Sequence, residues 1–476
     1  LLSTITLQTM KKTLLTTFSL LMVALSASAQ TVWASKSTIN ASTGDAPYAI
    51  ASGFIDADSF NDIIIGTYNG NTLEWYKNNG DNTFTFQTLV TNTLSGIGAL
   101  KLVDLNGDGF LDILAAGYGN DKVVWFSNDG SGNFSSENVI STTINGASGV
   151  ALGDINGDTF IDFAITAYDG DEVVWFSNDG LGNFTFETQK IDDTLNAPGV
   201  VNLSDIDNDG DLDALVATAV YSGDVIEIFR NNLIPSGTVT FTKDALPVTT
   251  GKVGIFNAAF MDLDGDTNLD ILATEVSFGG GPTGNLYWYE DNGAGFTETI
   301  FTTSIANPSV AQFSDMDADG LKDIVLSSGS SGSGNDLVWF KNNGGGSFGT
   351  EIIIDNTQSQ AFVYAISDFD NDGDNDIASC AFNEDALNYF ENELESLVIP
   401  TRINTPFKIF PNPTKDNLFF DGLENKTITI SISDVLGKTI LSKSQNPNHT
   451  LDVSGLANGI YTITIDGKFT SKFIKE

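Results

Sequence analysis

The sequence predicts an all-β chain on three observations. An acidic, glycine-bearing loop recurs at a nearly constant interval. Each copy runs into short apolar segments of strand length separated by turn residues, and no apolar 3.6-residue period persists for three turns within residues 31 to 395.

The repeat is plain where "DLNGDGFLDI" begins at Asp104 and "DINGDTFIDF" at Asp154. Aligned on the first Asp, copies start at Asp56, Asp104, Asp154, Asp205, Asp262, Asp315 and Asp368, 48 to 57 residues apart. Most copies continue through an apolar run such as "DILAAGY" or "DALVATAV" into an aromatic one such as "VVWFSNDGSGNF" or "LVWFKNNGGGSF". A period of about 50 residues holding some four strands is the pattern of a β-propeller blade. Seven copies therefore predict a seven-bladed β-propeller. The seventh copy stops at "LNYFENELES" without its last strand, and "TVWASKSTINAS" at residues 31 to 42 is placed to supply it. The expectation is a clasp in which the N-terminal strand completes the last blade and closes the ring.

Acidic residues at alternate positions, interrupted by glycine, are what a hard cation requires of a turn, because carboxylate oxygens converge only around a tightly curled backbone. Positions 1, 3, 5 and 9 of the loop hold the candidate calcium ligands. They are Asp104, Asn106, Asp108 and Asp112 in the second copy and Asp154, Asn156, Asp158 and Asp162 in the third. The fourth offers Asp205, Asp207, Asp209 and Asp213; the fifth Asp262, Asp264, Asp266 and Asp270. The sixth offers Asp315, Asp317, Asp319 and Asp323, and the seventh Asp368, Asp370, Asp372 and Asp376. Position 2 is apolar in all six (Leu105, Ile155, Ile206, Leu263, Met316, Phe369), so alternation separates a metal face from a core face. The competing reading is an Asp-rich turn whose carboxylates merely cap backbone amides. Against it stands repulsion of roughly 1 to 4 kcal/mol for each pair of unit charges about 4 Å apart. An EF-hand is excluded, because position 12 (Ala115, Ile165, Val216, Ala273, Leu326, Ser379) carries no acid and strands follow. The first copy, "DADSFND", is two residues shorter, and whether it holds a metal stays open.

The "DxDxDGxxD" loop entering a strand resembles the FG-GAP and VCBS repeats of integrin alpha-subunit propellers and of many secreted bacterial proteins, over about residues 31 to 395. The resemblance implies a calcium-binding propeller and is silent on activity.

With 62 Asp plus Glu against 21 Lys plus Arg, the net charge of −41 repels nucleic acid and anionic lipid. Arg230 and Arg402 are the only arginines, so the usual phosphate-clamping donors are missing. From Met10 the chain reads "MKKTLLTTFSLLMVALSASAQ": two lysines, an apolar run, then Ala27-Ser28-Ala29. That is the pattern of a secretory signal peptide cleaved before Gln30, with Met10 as the expected start and residues 1 to 29 outside the mature fold. The apolar run is too short to span a bilayer, and no other approaches twenty residues.

Composition breaks near residue 404: residues 30 to 404 carry a net −44 and residues 405 to 476 a net +1. The expected organisation is a propeller over residues 30 to 395, a linker over 396 to 404 and a small β-sandwich over 405 to 476, whose "KTITISISDV" and "GIYTITIDG" alternate apolar and polar residues. This module resembles the type A C-terminal sorting domain of Bacteroidetes type IX secretion. The matching blocks are "FKIFPNPTKDNLFF" with Phe410, Pro411, Asn412 and Pro413, "DVLGK" with Gly437 and Lys438, "LDVSGLANGIYTITI" with Leu456, Gly459 and Tyr461, and the basic end "KFTSKFIKE". The resemblance implies export through the periplasm to the surface or medium, with the type IX machinery as partner.

His449 is the only histidine and Cys380 the only cysteine, which removes Ser-His and Cys-His nucleophilic catalysis and zinc chemistry from the propeller. The aromatic pairs Trp75-Tyr76, Trp125-Phe126, Trp175-Phe176, Trp288-Tyr289 and Trp339-Phe340 recur at one strand position, as a core layer would, although the same rings stack on sugars. Two functions from different classes follow: a surface or released binding or adhesion protein whose partner is a polysaccharide or surface protein, and a calcium-dependent, lyase-like polysaccharide-degrading enzyme. The first is favoured, because no catalytic constellation breaks the repeat. Its contact surface is expected where the repeat is interrupted, at residues 231 to 241, 277 to 285 and 327 to 336.

Overall fold

The computed structural model describes residues 31–90, 92–220, 223–245, 247–277, 284–293, 295–301, 303–330, 334–394, 408–421, 426–433, 438–446, 450–465 and 469–476. The signal-peptide region, the linker, Gly437 and His449 lie outside them. The chain divides into two compact units, Leu1–Glu395 and Ser396–Glu476.

In the first unit the described residues form seven antiparallel sheets of four strands each, the fourth with an extra strand at Thr249–Lys252. The first sheet shows the plan: Pro47–Gly53, Asp62–Thr67, Leu73–Asn78 and Phe84–Val90 in spatial order. Its second strand, "DIIIGT", is buried at every residue, and so are its counterparts from Asp112, Asp162, Asp213, Asp270, Asp323 and Asp376. A strand covered on both faces needs a continuous apolar run rather than alternation, and these sequences supply one. The outermost strand, Phe84–Val90, is mostly exposed and accordingly mixed in polarity. Helix among the described residues is limited to Leu233–Ser236 and three 3-10 turns.

The seventh sheet is completed from the N-terminus. Ser37–Asn40 pairs with Ala386–Phe390, beside Asp376–Ala381 and Val363–Ser367, and Thr31–Trp33 pairs with Asn392–Leu394. The first strands of consecutive sheets lie side by side, and Val363–Ser367 of the seventh lies beside Pro47–Gly53 of the first. The cores therefore sit between sheets. Trp75 packs with Ile113 and Phe126 of the second sheet, while its neighbour Tyr76 points the other way and packs with Phe369, Ala378 and Tyr389 of the seventh. Gly132 covers Trp75 so closely that a Cβ there would lie 2.0 Å from the indole.

Two sets of hydrogen bonds join neighbouring sheets. At the acidic-loop end, a buried asparagine closing the third strand donates its side-chain amide to a main-chain carbonyl in the preceding sheet's loop. The pairs are Asn128 to Ile55 (2.7 Å), Asn178 to Leu105 (2.9 Å), Asn231 to Ile155 (3.0 Å), Asn342 to Leu263 (3.4 Å), Asn392 to Met316 (2.8 Å) and, across the closure, Asn78 to Phe369 (2.7 Å). The fifth sheet has Asp291 at this place, which has no proton to donate. At the other end of the strands, side-chain oxygens of Asn71, Asp121, Asp171 and Asp385 accept the amides of Gly96, Gly146, Ala197 and Ala46 of the next sheet, at 2.7 to 2.9 Å.

The second unit contains a three-stranded sheet, Lys408–Phe410, Asn417–Asp421 and Leu451–Asp452, and a four-stranded one, Thr439–Gln445, Ile428–Ser433, Gly459–Ile465 and Phe469–Lys475. Leu418 and Leu451 of the first share a core with Ile430, Ile463 and Phe473 of the second.

Candidate metal loops

Each acidic loop connects the first strand of its sheet to the second. Position 2 is buried in all six full copies, from Leu105 to Phe369. The second copy shows how the turn is held. Asp104 accepts the amides of Gly107 and Gly109 at 2.8 and 2.9 Å, Asn106 that of Asp108 at 2.9 Å, and Asp108 that of Phe110 at 3.0 Å. Both glycines have positive φ, 75° and 89°, a conformation that β-carbons resist. The amide-capping role weighed from the sequence is thus present.

Position 9 has a further duty. Asp112 accepts the amide of Leu105 with one oxygen and that of Asn128 with the other, at 3.0 and 2.9 Å. The same two-amide bridge recurs at Asp162, Asp213, Asp270, Asp323 and Asp376, fixing the loop to the end of the third strand. Burial pushes these carboxyls up, to about 6 for Asp112, Asp213, Asp270 and Asp323, about 7 for Asp162 and about 8 for Asp376. Asp62 of the first loop is pushed up to about 7 for the same reason.

Carboxylates converge most closely in four loops, where ligand-capable oxygens lie within 4.8 Å of one another: Asp205, Asp207 and Asp209; Asp262, Asp264 and Asp270; Asp315, Asp317 and Asp323; Asp368, Asp370 and Asp376. In the loops at Asp104 and Asp154, position 3 is an amide, Asn106 or Asn156. The donor set is all oxygen, which suits a hard divalent cation. Buried oxygens of Asp211, Asp317, Asp368 and Asp374 accept no hydrogen bond from the protein, which leaves them lone pairs for one.

Sequence reasoning missed the residue just before the clamping asparagine. Lys77 pairs with Asp56 and Asp58 of the first loop, and Lys341 with Asp317 and Asp319 of the sixth. Arg230 reaches Asp213 at 3.3 Å and Asp244 at 3.2 Å, and Ser127 Oγ accepts from Asn106 at 3.2 Å. The signal was legible: a variable residue stands between an aromatic residue and "N" in "WYKN", "WFSN", "IFRN" and "WFKN".

Trp75, Trp175, Trp288 and Trp339 are buried, as are Tyr76, Phe126, Phe176, Tyr289 and Phe340. These pairs serve the cores between sheets rather than a sugar platform. The first strands line a cavity of about 620 Å³. Tyr48 gathers Tyr68, Phe256, Phe362 and Phe382 around it at 5.6 to 6.2 Å between ring centroids. Among the described residues Lys101, itself exposed to solvent, is the single charged residue lining this cavity. Of the three interruptions of the repeat, residues 231 to 241 include the helical turn Leu233–Ser236 with Ile234 exposed. Residues 278 to 283 and 331 to 333 of the other two lie outside the described residues.

Sheets that follow one another side by side until the last meets the first, each carrying an acidic loop at the same place, define a repeat β-propeller. Residues 55–115, 104–165, 154–216, 205–273 and 315–379 match the FG-GAP-like repeat, together more than half of the chain, and the chain belongs to that family. Residues 408–476 match the secretion system C-terminal sorting domain, which implies type IX export to the cell surface or medium. Among solved structures, a catalytically inactive virginiamycin B lyase from Staphylococcus aureus with quinupristin is similar at 15% identity, over 76% of this chain and 99% of that one, with a TM-score of 0.47. Aleuria aurantia lectin in complex with Fucα1-6GlcNAc is similar at 12% identity, over 67% and 98%, with a TM-score of 0.38. No curated protein matches the sequence. No helix among the described residues is long and apolar enough to cross a membrane.

Proposed function

We propose that the chain is a calcium-stabilised, seven-bladed propeller that acts as a binding or adhesion protein at the cell surface or in the medium, its tail forming a β-sandwich address for type IX secretion. The observation that carries this reading is the pairing of FG-GAP-like repeats with a C-terminal sorting domain in one chain. Calcium is favoured because six full loops present carboxylate and amide oxygens at one spacing, and several buried lone pairs accept no protein donor. The ligands are those of positions 1, 3, 5 and 9, the last serving also as the strut to the third strand. With a polysaccharide or surface protein as partner, contact falls on the interrupted loops of the later blades.

The test has two arms. The full exported chain is probed on a glycan array and against host surface proteins, with calcium and with a chelator, while sugar release is assayed in parallel. Calcium-dependent binding without depolymerisation is the expected result. Release of oligosaccharide by the purified chain would replace this reading with that of a lyase-like enzyme.

A further inference from the structure

The loops share one backbone but differ in what faces them. In all seven sheets the amide of the residue closing the third strand (Asn78, Asn128, Asn178, Asn231, Asp291, Asn342, Asn392) donates to the position-9 carboxylate of its own loop at 2.7 to 2.9 Å. The residue before it is therefore delivered to the loop by the same fixed strand end each time. That residue is Lys77, Ser127, Ser177, Arg230, Glu290, Lys341 or Glu391 in chain order. Here the repeat changes sign while the backbone does not.

The two lysines lie within their loops. Lys341 Nζ contacts Asp317 and, at 2.6 Å, Asp319, the position-3 and position-5 carboxylates of the sixth loop. Lys77 Nζ contacts Asp56 and, at 2.6 Å, Asp58 of the first loop. The first loop is not the shorter one that the sequence suggested: Gly53 pairs with Asp62 as Val103 pairs with Asp112, and Asn128 reaches the carbonyl of Ile55 as Asn178 reaches that of Leu105, so Asp56 and Asp58 stand at positions 3 and 5 and position 1 is Phe54. A loop that has lost a ligand has a lysine to neutralise what is left. Arg230 is different: it reaches the position-9 strut Asp213 and turns to Asp244, leaving Asp205, Asp207 and Asp209 gathered without a cation.

We propose that Lys77 and Lys341 are built-in cations, which close the first and sixth loops without metal, so that this one strand position decides blade by blade which loops take a divalent ion. The proposal rests on the calcium reading of the other loops. Calcium needs six to eight oxygens, and an ammonium among the carboxylates takes one oxygen of each of two, Oδ2 of Asp317 and of Asp319 in the sixth loop, and repels a divalent cation brought to the oxygens that stay free. At the loops of Asp262 and Asp368 the same position carries Glu290 and Glu391, which raise the local negative charge. At Asp104 and Asp154 it carries the neutral Ser127 and Ser177. The chain then takes five calcium ions, at the loops of Asp104, Asp154, Asp205, Asp262 and Asp368, and holds the other two loops at any calcium concentration.

Native mass spectrometry of the full exported chain, titrated with calcium alone, counts the ions directly. Wild type is expected to bind five, Lys341→Met six, and Ser127→Lys four. Lys77→Met is expected to melt earlier than wild type in chelator, with the deficit uncorrected by calcium because Phe54 stands at position 1 in place of a carboxylate. Six ions on wild type and an unchanged count in Lys341→Met would overturn the proposal while upholding calcium in the loops. No bound calcium on any variant would overturn both. Should Lys341→Met fail to fold, the loss of one ion in Ser127→Lys decides for the proposal, and an unchanged count there decides against it.

Discussion

Asn78 donates its side-chain amide to the main-chain carbonyl of Phe369 at 2.7 Å, joining residues 291 apart in the chain. Asn78 is buried, and its other amide contact is the carbonyl of Asn61 in its own loop at 3.0 Å. The first and last sheets are thus tied at the acidic-loop end by Asn78, beside Asn61 donating to the carbonyl of Asp368 at 3.0 Å and Asn371 to that of Ser59 at 2.9 Å, while Ser37–Asn40 ties them through the backbone. Replacing Asn78 with Ala removes both bonds and leaves two carbonyls to find other donors. A buried group left unpaired costs about 1 to 3 kcal/mol, so Asn78→Ala is expected to lose an amount in that range in urea unfolding. A change within error would mean that the clamp contributes nothing to closure.

The same bond is absent by chemistry at one junction. Asp291 occupies the clamp position of the fifth sheet, and a carboxylate offers no hydrogen to the carbonyl of Ile206 in the fourth sheet's loop. Its Oδ1 accepts the amide of Gly293 at 2.9 Å, just as Asn78 Oδ1 accepts that of Gly80 at 2.9 Å, so the backbone is already shaped for asparagine. Asp291→Asn keeps that turn and restores the donor. It is expected to stabilise the chain by about 1 kcal/mol, the net value of one hydrogen bond, read as a raised urea midpoint at unchanged slope.

The buried struts set a pH dependence whose sign follows from their shifts. Asp112, Asp213, Asp270 and Asp323 rise from 3.8 to about 6, Asp62 and Asp162 to about 7, and Asp376 to about 8, each chiefly through burial. The folded chain then holds protons more tightly than the unfolded one between pH 4 and 8. Their contribution is complete below the unfolded value and is lost as pH rises through the folded values. In chelator, stability is expected to fall from pH 5 to pH 8. Calcium favours the ionised form of its ligands and so flattens the slope. Urea unfolding at the two pH values, with chelator and with calcium, measures both; a chelated chain more stable at pH 8 than at pH 5 would contradict the assignment.

Much of this architecture was legible because it repeats. The loop spacing, the apolar second strands and the truncated seventh copy pointed to four-stranded antiparallel sheets and to the N-terminal strand that completes the last one. The aromatic pairs were placed in the core by their recurrence, and the structure puts Trp75 and Tyr76 on opposite faces of one strand, each in a different intersheet core. What escaped the sequence were roles that depend on two copies at once. Asn178 reads as a turn residue until the carbonyl of Leu105, in another sheet, is seen to receive its amide. Position 9 reads as a ligand like the others, and only the fold shows that Asp112 spends both oxygens on backbone amides. Lys77 and Lys341 look like ordinary surface charges, because the loops they enter lie 19 to 24 residues earlier in the chain.

The tail is expected to be separable from the propeller. Its described residues have a core of their own, from Leu418 to Phe473. The seventh sheet gains its outer strand from the N-terminus, so among the described residues its four strands are complete by Phe390. Composition changes at the same place, from a net −44 over residues 30 to 404 to +1 over 405 to 476. A chain ending at residue 404 should therefore keep the calcium-dependent melt of the full protein within error, as expected where the chain divides into compact units each with its own core. Its fate in the cell should differ, because residues 408–476 match a secretion sorting domain. In a host with type IX secretion, the truncated chain is expected to accumulate folded in the periplasm while the full chain reaches the surface or medium. Fractionation with an antibody to the propeller reads the outcome. Surface delivery of the truncated chain would remove the tail's role as an address, and a lowered melt would show instead that the propeller leans on it.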